Sequence, residues 1–191
     1  MEKDVRTKKM MNKEDIRRQV KARKSLLNEK ERVEAARRVF DFLEKTAAFM
    51  LSEHILMYRS LDDELSTREF IDRWHERKKF YLPRVNGVNL DILPYDRSRL
   101  HLGAFNIEEP DGDDTVDFSS IELVIVPGVA YDRRGNRVGR GKGFYDRLLS
   151  DTGAVTIGVA YDFQLYDEIE PDEFDIPVQY VITEKGIIKI K

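Results

Sequence analysis

The sequence predicts an α/β protein: a single three-layer α/β/α domain over residues 1–191, built on a largely parallel central sheet. Three observations carry that expectation. Strand-like and helix-like segments alternate along the chain, which is the pattern of parallel strands joined by helical crossovers. The segment 121–129 (Ile-Glu-Leu-Val-Ile-Val-Pro-Gly-Val) is the apolar run expected of a strand buried on both faces. The 191 residues are 41% hydrophobic and 36% charged, enough apolar material for a core and too much charge for a membrane protein.

Residues 1–12 are polar and aperiodic and are expected to fray. Helical spacing begins with Ile16, Val20 and Leu27. Asn28 followed by Glu31 reads as a capping box. Val33, Ala36, Phe40, Leu43 and Ala47 then recur every three or four residues, giving an amphipathic helix. A short strand is expected at 54–59, and Ser66 with Glu69 opens a helix that buries Phe70, Ile71 and Trp74. Further strands are expected at 79–83, 88–95, 121–129 and 154–160, with a helix near 143–150. The chain closes on a strand pair, 177–183 and 186–190.

Cysteine is absent, which excludes disulfides, thiolate catalysis and Cys-based zinc sites. No apolar run is long enough to span a bilayer and the first residues lack a secretory signal, so a cytoplasmic location is expected. The net charge of −3 is uneven. Residues 1–38 hold 14 basic against seven acidic side chains, and residues 133–147 hold six against one. Two basic islands on an acidic body suit a focused anion site better than a nucleic-acid face.

One of those islands carries the chemistry: Asp132-Arg133-Arg134-Gly135-Asn136-Arg137-Val138-Gly139-Arg140-Gly141-Lys142-Gly143-Phe144-Tyr145-Asp146-Arg147. It follows the most apolar strand and runs into a helix, where open α/β sheets bind ligands. Gly139, Gly141 and Gly143 remove alternate side chains and let backbone N–H groups approach an anion. Arg137, Arg140 and Lys142 add charge, and the helix start adds unpaired donors. This is a polyphosphate cradle of an uncommon type. Lys142 is followed by Gly143, which breaks the Walker pattern, and Phe144 breaks the dinucleotide fingerprint.

The stretch Arg137–Asp146 resembles the signature of the 5-formyltetrahydrofolate cyclo-ligase family. The resemblance extends to Lys13 and Arg17, Glu64-Leu65-Ser66-Thr67, Leu82-Pro83-Arg84, Ile107-Glu108-Glu109-Pro110 and Asp175. It implies the fold shared with sugar-phosphate isomerases and CoA transferases. It also implies conversion of 5-formyltetrahydrofolate and ATP, with Mg²⁺, to 5,10-methenyltetrahydrofolate, ADP and phosphate.

Carried over to this chain, the resemblance gives Lys13, Arg17 and Arg137 through Tyr145 (Arg137, Val138, Gly139, Arg140, Gly141, Lys142, Gly143, Phe144, Tyr145) as the ATP site. Arg140 and Lys142 are implied to act on the transferred phosphoryl. Glu64, Arg59 and Phe144 are implied for the folate, and Asp146 and Asp175 for Mg²⁺. Without the resemblance, Lys13 and Arg17 read as solvated charges one helical turn apart, and Glu64 as one of three acids before a helix. Phe144 stands where the family usually has tyrosine, and Arg59 differs in type from the family's residue. The implied partner is 5-formyltetrahydrofolate, with or without a polyglutamate tail, bound to a monomer. Two alternatives are another phosphate-handling enzyme of the sugar-phosphate isomerase kind and a non-catalytic nucleic-acid-binding relative. ADP release would exclude the first, and the acidic remainder of the chain argues against the second.

Overall fold

The computed structural model describes residues 11–103 and 108–190, so Ile107 and residues 1–10 lie outside the described residues. Helix α1 (Lys13–Lys24) is capped by Asn12, whose side chain accepts from Asp15 N. Met11 packs against the same small core as Ile16 and Val20, so the order of the chain begins before residue 12, where fraying was expected. Helix α2 (Glu29–Leu43) opens on the expected reciprocal Asn28–Glu31 box. The periodic pattern through Ala47 proves to be two helices. The chain turns at 44–46, and the Thr46 hydroxyl accepts from Phe49 N to start α3 (Ala47–Leu51). Strand β1 (His54–Leu56) and helix α4 (Arg68–Trp74) follow. Helix α4 starts two residues later than the Ser66 signal suggests, because buried Thr67 is committed elsewhere and donates its hydroxyl to Tyr58 O.

Strands β2 (Lys79–Asn86) and β3 (Asn89–Pro94) form an antiparallel hairpin. Then come β4 (Leu100–Leu102), β5 (Glu108–Pro110), β6 (Leu123–Val126), β7 (Ala130–Asp132) and β8 (Arg137–Val138). Helix α5 (Phe144–Leu149), β9 (Val155–Val159), β10 (Leu165–Tyr166), β11 (Tyr180–Thr183) and β12 (Gly186–Lys189) complete the order. Strand β6 stops at Val126, short of the expected 129, since Pro127 has no N–H to extend the ladder.

Among the described residues the central sheet has seven strands in the order β12-β11-β9-β6-β1-β2-β3. Its interior pairs are parallel and each edge strand is antiparallel. Both faces are buried. Ile55, Leu123, Ile125, Ile157 and Ile182 face α2, α3 and α4, while Leu56, Val124, Val126 and Val181 face the opposite core. Each such side chain removed from water contributes about 1.5–3 kcal/mol. The second helical layer is thin: only the six-residue α5, with loop side chains, covers that face. Helix α1 instead packs Ile16 and Val20 on Ala130, Val138 and Ile169 of a small sheet, β10-β7-β8, and its surroundings.

The chain leaves β1 towards β2 on one side and leaves β6 towards β9 on the other. The carboxyl ends of β1 and β6 therefore flank a topological switch point, where an open α/β sheet leaves a crevice. Tyr131 seals the sheet just beyond it. Its hydroxyl donates to Val126 O at 2.6 Å, and its ring lies against Gly128 and Gly158. A Cβ at Gly158 would stand 2.4 Å from the Tyr131 ring. Gly158→Ala is therefore expected to lower stability by about 1–3 kcal/mol through overpacking, read as a reduced urea midpoint. An unchanged midpoint would contradict this packing.

Candidate functional site

A cavity of about 610 Å³ opens at that switch point. The exit of β1 contributes Tyr58, Arg59, Leu61 and Glu64, and the exit of β6 contributes Pro127, Gly128 and Val129. Pro83, Val85 and Leu90 come from the β2–β3 hairpin, and Lys13, Arg17 and Lys24 from α1. The glycine-rich segment runs along it from Arg137 to Asp146, and Asp172 and Asp175 close one end.

The segment's path is set by Asp132. Its carboxylate is fully buried and accepts four N–H bonds of 2.8–2.9 Å, from Arg134 N, Asn136 N, Asn136 Nδ2 and Ile169 N. The Asp132–Asn136 turn that results needs Gly135 at φ 83°, where a Cβ would stand 2.2 Å from Val178 O. Arg137 leaves this turn on β8 and aims into the cavity. Farther along, Gly141 takes φ 94°, a conformation that a β-branched residue resists. Arg147 fastens the far end by donating to Lys142 O and Val88 O, each at 2.9 Å. Helix α5 starts directly after, but six residues make a weak dipole, so the side chains and the loop N–H groups dominate the field here.

The expected site residues come together with one exception. Arg17 Nε donates to Gly139 O at 2.8 Å and clips α1 to the segment. Lys13 pairs with Asp172 at 2.6 Å and with Asp175; burial alone would lower its pKa, but these carboxylates hold it above the ordinary value. Arg137 donates to Asp146 at 2.7 Å. Arg140 donates to Asp63 at 2.6 Å and to Glu64 at 3.0 Å. Arg59 donates to Glu108 at 2.7 Å, and this bond holds the Glu108 carboxyl below its usual range. The exception is Val138, whose side chain is buried with Ile16, Val20, Ala130 and Ile169 and does not line the cavity. A β-strand sends alternate side chains to opposite faces, so Arg137 and Val138 cannot both face the ligand space.

Asp146 and Asp175 share the cavity but do not form a ready metal centre. Each is engaged by a cation, and among the described residues no group of three or more potential ligands is placed to hold a metal.

Four buried side-chain polar atoms among the described residues lack a hydrogen-bond partner: Arg59 NH1, Arg137 Nε, Tyr145 Oη and Tyr161 Oη. The first three belong to residues that line this cavity. Buried donors are seldom left unmet in folded chains, so their concentration here marks a place built for an acceptor-rich ligand. Burial also pushes the Tyr145 hydroxyl well above its ordinary pKa, keeping it a donor.

Lys24 was missed from the sequence. It lines the cavity and is 5% exposed. Its signal was present: residues 13, 17 and 24 fall within about 40° of one another on a helix at 3.6 residues per turn. Asp63 and Asp172 carried no pattern that singles them out.

A family model described as the 5-formyltetrahydrofolate cyclo-ligase family matches residues 9–184. The chain belongs to the 5-formyltetrahydrofolate cyclo-ligase family. It is 34% identical over 144 residues to the 5-formyltetrahydrofolate cyclo-ligase of Escherichia coli K12, covering 70% of this chain and 79% of that one. It is 27% identical to the Mus musculus enzyme of the same name, over 90% of this chain and 93% of the other. The solved structure of Aquifex aeolicus 5,10-methenyltetrahydrofolate synthetase superposes with a TM-score of 0.86 at 32% identity, covering 95% of this chain and 94% of that one.

In this family member the cradle depends on the Asp132 carboxylate. Asp132→Ala strands its four donors, and a loss of about 3–5 kcal/mol in urea unfolding is expected. A loss below about 0.5 kcal/mol, the range of ordinary surface substitutions, would contradict the assignment.

Proposed function

We propose that the chain catalyses the ATP-dependent closure of 5-formyltetrahydrofolate to 5,10-methenyltetrahydrofolate, releasing ADP and phosphate. The observation that carries this reading is the meeting, in one cavity, of the glycine-rich segment with Lys13 and Arg17 on one side and Arg59 and Glu64 on the other. No helix among the described residues is long and apolar enough to cross a membrane.

The N5-formyl group is an amide, and ring closure must expel its oxygen. The formyl oxygen attacks the γ-phosphorus of ATP, the bridging P–O bond breaks and ADP departs. N10 then attacks the formyl carbon, loses its proton, and the C–O bond breaks with the electron pair leaving on phosphate. Such chemistry needs positioning and charge, and no nucleophilic side chain.

Lys13 and Arg17 bind the nucleotide from α1. Loop N–H groups around Gly139–Gly143 approach the phosphates, and Arg140 and Lys142 address the oxygens on which charge develops. Glu64 accepts from the donor edge of the pterin, and Arg59 NH1 donates to an acceptor on the same substrate. The rim at Pro83, Val85, Leu90 and Phe144 packs against its rings.

Seven cationic and six carboxylate side chains line the cavity, so the protein alone does not neutralise a triphosphate. The two carboxylates of Asp146 and Asp175 suit Mg²⁺, which takes one or two carboxylates beside phosphate oxygens and water. Ile176 N reaches Asp146 Oδ1 at 3.4 Å, which ties the two aspartate-bearing segments together. Mg²⁺ held there would supply charge neutralisation at the phosphates.

Mixing Mg-ATP with 5-formyltetrahydrofolate should yield the strongly absorbing methenyl product with ADP. Arg140→Ala and Lys142→Ala should each lower kcat by roughly 10²–10³, the scale of removing one preorganised donor. Lys13→Ala should instead raise the KM for ATP, at a cost of about 1.5–3 kcal/mol for a lost charge-assisted contact. Asp146→Asn should shift the Mg²⁺ dependence to higher concentration. Wild-type turnover in both loop variants would sink the cradle assignment.

A further inference from the structure

Lys24 takes no part in the mechanism above, yet it is the lysine among the described residues that the fold buries. Its ammonium stands 3.8 Å from Asp63 Oδ2, close enough for an ion pair and too far for a hydrogen bond. The other oxygen of the same carboxylate, Oδ1, accepts from Arg140 at 2.6 Å. Asp63 is thus shared between two cations, one buried on α1 and one half-exposed on the glycine-rich segment.

The two sides of this arrangement differ in freedom. A single guanidinium on α2, Arg32, donates to Lys24 O and Leu27 O at the end of α1, and to Asp62 O at 3.1 Å. Lys24 and the Asp63 loop are therefore clamped to one another. Arg140 sits between two glycines and, among the described residues, is held through its side chain. In the proposed reaction Arg140 must turn from Asp63 and Glu64 towards the phosphoryl group, which gives up a close charge pair. A buried ammonium with an incomplete partner gains when that partner becomes wholly its own.

We propose that Lys24 is a positioning residue that competes with Arg140 for Asp63 and so lowers the cost of releasing Arg140 to the phosphoryl group. Without Lys24, Arg140 is the one cation among the described residues paired with Asp63, which holds it back. The inference rests on the cyclo-ligase reading above. It concerns a lysine–aspartate pair that the phosphates need not touch.

Burial lowers the pKa of Lys24, opposed by Asp63 and Glu64 from the loop after β1 and reinforced by Arg140 and by Arg32 on α2. Its charge is therefore lost at a lower pH than that of an ordinary lysine, and the assistance should fade on the alkaline side. Arginine at this position stays charged.

The test is steady-state formation of the methenyl product by the full chain, measured across pH. Lys24→Met should lower kcat by about 5–10-fold, the scale of one charge pair, with the KM for ATP nearly unchanged. Lys24→Arg should recover most of that loss and move the alkaline limb of the kcat profile upward. In an Asp63→Asn background, Lys24→Met should cost less than about twofold, because the two changes act through one carboxylate. Equal losses in both backgrounds, or a rise in the KM for ATP with kcat intact, would mean direct contact with the nucleotide and would overturn the proposal. Should Lys24→Met not fold, the Lys24→Arg profile decides alone: an alkaline limb identical to wild type overturns it. Absence of wild-type turnover would overturn the cyclo-ligase reading together with this one, whereas turnover indifferent to Lys24 overturns this one only.

Discussion

The carboxylate of Asp132 is the constraint on which the site depends. A charge removed from water must be met by donors, and here four N–H groups from three residues meet it. Meeting it fixes the turn between β7 and β8 and brings the chain at Ile169 alongside. The same turn delivers Arg137 towards the ligand space and buries Val138 under α1. Helix α1 can then carry Lys13, Arg17 and Lys24 over the glycine-rich segment because Ile16 and Val20 have Val138 and Ala130 to rest on. A local electrostatic requirement in one tight turn thus places residues from three distant parts of the sequence around one cavity.

The second feature is pairing. Arg59, Lys13, Arg137 and Arg140 each hold a carboxylate, so the cavity stays close to neutral while keeping its cations extended and in place. Preorganised charge costs little reorganisation when phosphate arrives, provided the existing partners can be given up. The carboxylates differ in this respect. Asp63 is half-exposed and water can take over its solvation, whereas Glu108 is held by both Arg59 and Arg68. The Asp63 pair is accordingly easier to exchange than the Glu108 pair.

Much of the fold was legible because its strands are buried on both faces and its helices carry one apolar stripe. The apolar residues at 123–126 and the Asn28–Glu31 box could be read directly. The short strands β7, β8 and β10 could not, since two or three residues hold no period and their pairing is fixed by the Asp132 turn. The break between α2 and α3 was hidden for a different reason: Ala47 continues the helical period although the Thr46 cap restarts the helix. In the site, the glycine-rich segment announced itself by composition. Lys24 lay on a readable helical face but looked like one more solvated lysine in a basic stretch, and its burial beside Asp63 comes from the fold. Asp63 acquires meaning solely from what the fold sets beside it.

The central claim is that the formyl oxygen leaves as phosphate, in a cavity whose protein groups supply position and charge. It is tested most directly with 5-formyltetrahydrofolate carrying ¹⁸O in the formyl group, turned over with Mg-ATP, followed by mass analysis of the released phosphate. The account predicts one labelled oxygen in each phosphate formed, matched to one methenyl product and one ADP. Label released into water, with unlabelled phosphate, would contradict it.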